Sequence, residues 1–168
     1  LRAILRASAY GNLLVMFPMV ASVWELKAAK ALCAVLRKEL ADEGIETKDV
    51  PIGVMVETPA AAVLANDLAK EAAFFSVGTN DLTQYTLAVD RQNAKLDKFY
   101  DPYHPALMAL LAHIAKSANE AGIWAGICGE LGADPKMTEK FIEMGYTELS
   151  MAAGRILEAR KLVCESEL

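Results

Sequence analysis

Histidine is nearly missing from this chain: His104 and His113 are the two among 168 residues. Both read as structural, and a local histidine-based relay is not expected. Cysteine is scarce and odd in number. Cys33, Cys128 and Cys164 lie far apart, with no CxxC or Cys/His ligand spacing, which speaks against a disulfide framework or a zinc site and for reduced thiols. Basic residues are outnumbered, 17 Lys and Arg against 22 Asp and Glu, for a net charge of -5. A nucleic-acid or anionic-membrane partner is therefore not expected, and any anionic ligand must be met by local groups. No apolar run approaches the roughly 18 to 20 residues of a membrane span, and LRAILRASAYG lacks the layout of a signal peptide. The expectation is a soluble, cytoplasmic chain.

What is present is a core-forming composition, 54% hydrophobic and 23% charged. A chain of this size can bury roughly 70% of its unfolded surface as one globular unit. Five short apolar runs are strand candidates: LLVMFPMV at 13–20, IGVMVE at 52–57, FFSVGT at 74–79, IWAGIC at 123–128 and ELSM at 148–151. Their near-continuous apolar character suits parallel strands covered by helices. Between them, a helix over about 22–43 opens on Ser22-Val23-Trp24-Glu25, the pattern of a capping box, and stops at Gly44. Thr58-Pro59, His104-Pro105 and Asp134-Pro135 each place proline at a first helical position, and Gly11, Gly122 and Gly145 are expected left-handed helix ends. The seven methionines sit at core-like spacings. This alternation leaves an open doubly wound sheet or a closed eight-stranded barrel. A complete barrel needs about 250 residues, so five strands would form part of one, with two unpaired edges. Because the chain begins at Leu1 inside a helical pattern, it is expected to be a fragment.

Ligands of parallel β/α folds bind outside the carboxyl ends of the strands, which directs attention to the polar residues there. Glu57 ends one run, Asn80-Asp81 follows the next, and Cys128-Gly129-Glu130 closes a third. Neighbouring strands lie about 4.8 Å apart, so Glu57 and Asp81 can share a hard cation, and Mg²⁺ suits a site with only two protein carboxylates. On spacing alone, Asp81 as a helix cap and Glu57 as a solvated charge explain the same residues. Arg91, with Asn80, can bind a phosphate or carboxylate, or can be an ordinary surface charge. A thiol is mostly protonated at neutral pH, so Cys128 can act as an acid, while a buried apolar role is the common fate of a lone cysteine. That apolar role is the expectation for Cys33 and Cys164.

Three segments, GVMVETPAA at 53–61, FFSVGTNDLTQYTLAVDR at 74–91 and GICGELGAD at 126–134, together resemble the phosphoenolpyruvate-binding barrel of the phosphoenolpyruvate-protein phosphotransferases, Enzyme I of the bacterial sugar phosphotransferase system. The resemblance continues through LRAILRASAYG and VMFPMV. It implies an α/β fold that is part of a (β/α)8 barrel, with residues 1–168 as the C-terminal portion of the phosphoenolpyruvate-binding domain. It also implies Mg²⁺ on Glu57 and Asp81, phosphoenolpyruvate on Asn80, Asp81 and Arg91, and Cys128 as proton donor to carbon 3 of the enolate. The implied reaction moves a phosphoryl group to an enzyme histidine and on to the phosphocarrier protein HPr for sugar uptake, releasing pyruvate. That histidine lies in a Gly-Gly-x-x-Ser-His type segment which this sequence lacks, and two substrate-binding arginines of the family lie upstream of the matching part. The family forms homodimers through this domain, so the isolated chain is expected to be inactive or a non-catalytic dimerisation module. Pyruvate phosphate dikinase and phosphoenolpyruvate synthase share much of these motifs; QYTLAVDR and CGELGAD favour Enzyme I.

Overall fold

The computed structural model describes residues 1–166. Its elements run α1 (Arg2–Ala7), β1 (Val15–Phe17), α2 (Val23–Asp42), β2 (Ile52–Val56), α3 (Pro59–Val63), α4 (Ala65–Ala69), β3 (Phe74–Gly78), α5 (Thr79–Leu87), α6 (Pro105–Glu120), β4 (Trp124–Cys128), α7 (Thr138–Met144), β5 (Glu148–Leu149) and α8 (Ile156–Glu165). Short 3₁₀ turns lie at Ala94–Phe99, Glu130–Ala133 and Ala153–Arg155. The five strands form one sheet in the order β1-β2-β3-β4-β5, and all four neighbouring pairs are parallel. Strand order decides between the two architectures left open by composition. A doubly wound sheet reverses direction at a switch point, whereas strands added in sequence order wind only one way, as around a barrel. The fold is α/β, part of a (β/α)8 barrel.

Side-chain alternation sorts the two faces. Val54, Val56, Phe75, Val77, Ala125 and Ile127 pack against Leu26, Ala61, Leu68, Leu107, Leu111, Ile114 and Phe141 from the helices, in one continuous core. The alternate residues face the barrel interior: Met55, Ser76 and Cys128 are half-buried there, and Glu148 is exposed. Glu57 and Gly78 have the same inward parity, so the alternation carries the polar ends of these strands to one rim. At the opposite end of that interior, Phe74 stacks on Trp124 with ring centroids 4.6 Å apart. A buried tyrosine needs a partner for its hydroxyl, and Tyr146 donates to the Leu111 carbonyl at 2.9 Å.

Several local expectations change. The first strand is three residues rather than the run 13–20, because its ladder to β2 ends at Phe17–Val54 and the chain turns at Met19, with φ of 54°. The capping box at Ser22 is rearranged: Glu25 accepts from the Ala21 N–H and the Ser22 hydroxyl, and Ser22 itself caps no amide. Thr58 and His104 do cap α3 and α6, each followed by proline at the first helical position. Asp134-Pro135 instead opens a turn, with α7 starting at Thr138. Gly122 and Gly145 take left-handed φ, but α1 ends at Ser8 and Gly11 lies in the bend beyond it. Cys33 is buried as expected, while Cys164 is exposed, on α8, where no residue is buried. Met16 and Met19 are also exposed rather than core residues. No helix among the described residues is long and apolar enough to cross a membrane.

Phe75, fully buried in the central strand, anchors the sheet to its helices. Phe75→Ala should cost about 3 to 5 kcal/mol. Leu157→Ala, at a side chain 79% exposed on α8, should stay within about 0.5 kcal/mol. Denaturant titration of both variants checks the pair.

Candidate active site at the carboxyl ends of the strands

Glu57 follows β2 and is 4% exposed, which overturns its reading as a solvated loop charge. The Met19 N–H, beyond β1, donates to Glu57 Oε1 at 2.8 Å. Met19 is non-glycine with φ of 54°, a sparsely populated conformation. That turn is what points its amide back across the rim. The other carboxylate oxygen lies over Gly78: a Cβ there would come within 2.7 Å of Glu57 Oε2. Burial pushes the Glu57 carboxyl above its ordinary value, the Met19 amide pulls it down, and the charge and contact of Asp81 raise it further. Two carboxylates therefore meet, one of them withdrawn from water.

Asp81 stands in the first turn of α5, where the helix dipole favours an anion. It is not the cap: Gly78 holds that position and no side chain caps the helix. Arg91 returns to this end because α5 stops at Ala88 in a left-handed conformation, and Gln84 Oε1 accepts from the Arg91 N–H at 3.1 Å. The guanidinium then lies 3.6 Å from Asp81 Oδ1. Arg91 is thus an exposed residue paired with Asp81.

Cys128 ends β4 opposite Gly78 in register. It is half-buried, unlike a core cysteine. It lines a cavity of about 690 Å³ with Thr79, Asn80, Tyr100, Glu130 and Arg155. A neighbouring polar cavity of about 310 Å³ is lined by Asn80, Arg91, Gln92, Asp97, Tyr100 and Glu130. Asn80, Tyr100 and Glu130 are common to both, forming the ridge between thiol and guanidinium. Asn80 Oδ1 accepts from the Glu130 N–H at 3.2 Å, leaving its NH₂ as the side-chain group available to a ligand. Asn80, Asp81, Arg91, Glu57 and Cys128 are accordingly gathered at one rim. His104 instead uses Nδ1 to cap α6, accepting from the Ala106 N–H at 3.2 Å.

The sequence profile of the family described as "PEP-utilising enzyme, PEP-binding domain" matches residues 1–168. The chain belongs to that family. It is 48% identical over 164 residues to the phosphoenolpyruvate-protein phosphotransferase of Enterococcus faecalis, and 49% identical over 164 residues to that of Haemophilus influenzae. Each alignment covers 97% of this chain and 28% of the relative, so the chain spans a little over a quarter of those proteins' length. Among solved structures, a citrate lyase from Burkholderia xenovorans shares the fold with a TM-score of 0.72 at 22% identity, over 99% of this chain and 53% of that one. Malate synthase from Haloferax volcanii shares it with a TM-score of 0.67 at 16% identity, over 91% and 42%.

In this PEP-binding domain, three contributors to the rim, Met19, Tyr100 and Thr79, escaped the sequence reading, and a fourth, Glu130, was named there only as a strand-end residue without a role. Met19 acts through its backbone, and no residue-type signal marks it. Tyr100 comes from the loop after α5 and donates to the Asn80 carbonyl at 3.4 Å; its distance along the chain hides it. Burial pushes its phenol above the usual range. Thr79 and Glu130 lie inside the quoted motifs, where attention to the neighbours of Asn80 and Cys128 finds them.

The raised Glu57 carboxyl has a measurable consequence. The folded state holds this proton more tightly than the unfolded chain, so the stability it contributes is present at low pH and lost as pH rises through the raised value. Glu57→Gln keeps an acceptor for the Met19 amide and gives Asp81 a donor. The variant should melt higher than the parent without metal at about pH 8, by about 2 to 4 °C per kcal/mol relieved, and nearly equally at about pH 4. Thermal scans at the two pH values check this.

Proposed function

We propose that this chain is the phosphoenolpyruvate-binding part of a phosphoenolpyruvate-protein phosphotransferase, which passes the phosphoryl group of phosphoenolpyruvate to an enzyme histidine and then to the phosphocarrier HPr. The observation that carries this reading is the gathering of Glu57, Asp81, Asn80, Arg91 and Cys128 at one barrel rim. The identity of 48% and 49% to phosphotransferases supports it over pyruvate phosphate dikinase and phosphoenolpyruvate synthase, which share the barrel. The acceptor histidine in this reading lies outside residues 1–168, since His104 is spent on a helix cap and His113 sits in the middle of α6.

Each side chain has a defined task. Arg91 and the Asn80 amide bind and orient the phosphate oxygens, as a guanidinium fork and an N–H donor do. When the bond between phosphorus and the enol oxygen breaks, the phosphoryl group goes to the histidine nitrogen and the electron pair leaves on the enolate. The enolate π electrons then take a proton from the Cys128 thiol at carbon 3, forming pyruvate and a thiolate that water reprotonates. Glu57 and Asp81 fit a hard divalent cation, because they form a mutually repelling pair in which Glu57 is buried and Asp81 half-buried. Among the described residues, no group of three or more His, Cys, Asp or Glu side chains gathers as a metal cage. A two-carboxylate site matches Mg²⁺, which keeps several shell positions for water and substrate oxygens. Bound there, Mg²⁺ would neutralise charge on the substrate.

A homodimer also belongs to this reading. Trp24 on α2, 70% exposed, is among the apolar side chains that an assembly would cover.

In the full-length enzyme, Glu57→Ala should abolish Mg²⁺-dependent binding of phosphoenolpyruvate in calorimetry; equal binding by variant and parent would remove the metal assignment. Cys128→Ala should lower the rate of pyruvate formation by about 10² to 10⁴-fold, the range of a general acid. A variant turning over at the parent rate would refute the thiol's role.

A further inference from the structure

The rim is assembled from two halves, the carboxylates and Arg91 on one side and Cys128 on the other. The contact that joins them lies at the start of α5. Thr79 is 1% exposed, and its hydroxyl donates to the Cys128 carbonyl at 3.0 Å. Thr79 is held in turn, because its own carbonyl accepts from the Thr83 hydroxyl at 2.7 Å. The next residue, Asn80, takes the Glu130 N–H, so consecutive side chains of α5 grip the chain on either side of Gly129. Gly129 has φ of 111°, and a Cβ there would stand 2.5 Å from Thr79 Oγ1. Only glycine lets the grip close. The peptide that carries the thiol is thereby set against the helix that carries Asp81.

We propose that Thr79 is a positioning residue for Cys128. Its hydroxyl fixes the carbonyl end of β4 so that the Cys128 thiol faces carbon 3 of an enolate bound through Asn80 and Arg91. The inference depends on the proposed reaction and on Cys128 as its acid. Thr79 touches no reacting atom. It acts on the placement of the thiol, for which a displacement of about 1 Å can cost about 10²-fold.

The test uses the full-length phosphotransferase and phosphoenolpyruvate stereospecifically deuterated at carbon 3. Turnover, KM and the stereochemical purity of the methyl group of pyruvate formed in tritiated water are read together. Thr79→Val keeps the shape and removes the hydroxyl, while Thr79→Ser keeps the hydroxyl. Thr79→Val should lose about 10²-fold in kcat with KM for phosphoenolpyruvate within about twofold, and should yield partly racemised pyruvate. Thr79→Ser should restore kcat to within about threefold and restore stereospecificity. Thr79→Ala, which adds no bulk, should match Thr79→Val and carries the test where the valine variant does not fold. Overturning results are normal kcat and stereospecific protonation in Thr79→Ala, or an equal loss in the serine and alanine variants. Cys128→Ala separates the two layers of the argument. Stereospecific protonation at the parent rate in that variant would defeat the thiol as acid. Loss there with normal Thr79 variants would defeat only the positioning role.

Discussion

The buried carboxylate of Glu57 is the contact on which the rim depends. A carboxylate withdrawn from water needs partners, and this one draws them from different strands: the Met19 amide beyond β1 and the Asp81 side chain after β3. Because Gly78 has no side chain, Glu57 can lie over the end of β3. One side chain thus brings three strand ends into contact. The Met19 turn is explicable on the same terms. A residue of positive φ is costly for a non-glycine, and its return here is an N–H placed on a carboxylate oxygen.

The fourth strand joins through neutral groups. Thr79 and Asn80 hold the backbone around Gly129, so β4 is positioned by hydrogen bonds at 3.0 and 3.2 Å rather than by charge. This division suits a site that handles an anion and a proton separately. The charged half can bind phosphate or a cation without directly pulling on the thiol, and the thiol keeps a fixed carbonyl beside it. Ala88, also at positive φ, ends α5 and lets Arg91 return to Asp81. Both unusual backbone positions therefore lie on segments that deliver a group to the rim.

Much of this was legible from residue order because β/α barrels place function at strand ends. The apolar runs located all five strands, and the polar residue closing each of three runs located Glu57, Asp81 and Cys128. Strand boundaries were less legible where tertiary contacts override local pattern: Pro18 to Val20 look apolar enough for a strand, yet Met19 turns out to meet Glu57. The Ser22 box failed for a similar reason, since Glu25 found the Ala21 amide and the serine hydroxyl together. Asp134-Pro135 has the grammar of a helix start, but Asp134 accepts from the Lys136 amide in a turn. Tyr100 and Met19 were invisible for a deeper reason. One contributes through chain folding across a long loop, the other through its backbone, and neither leaves a spacing in the sequence.

A pair of adjacent carboxylates is a poor choice for stability alone. Replacing a buried charge by a neutral group of the same shape commonly leaves a fold as stable or more so, and the Met19 amide together with Gly78 would accommodate such a group. The strained turn at Met19 and the absent side chain at Gly78 also give up backbone order or packing at the same place. Three unfavourable local choices converge on one point, while the core beneath, from Val54 to Ile127, shows the close apolar packing of an unstrained fold. Local departures of this kind concentrate where function overrides stability. Here they converge on negative charge held still at a barrel rim, which is the property that the proposed divalent cation would require.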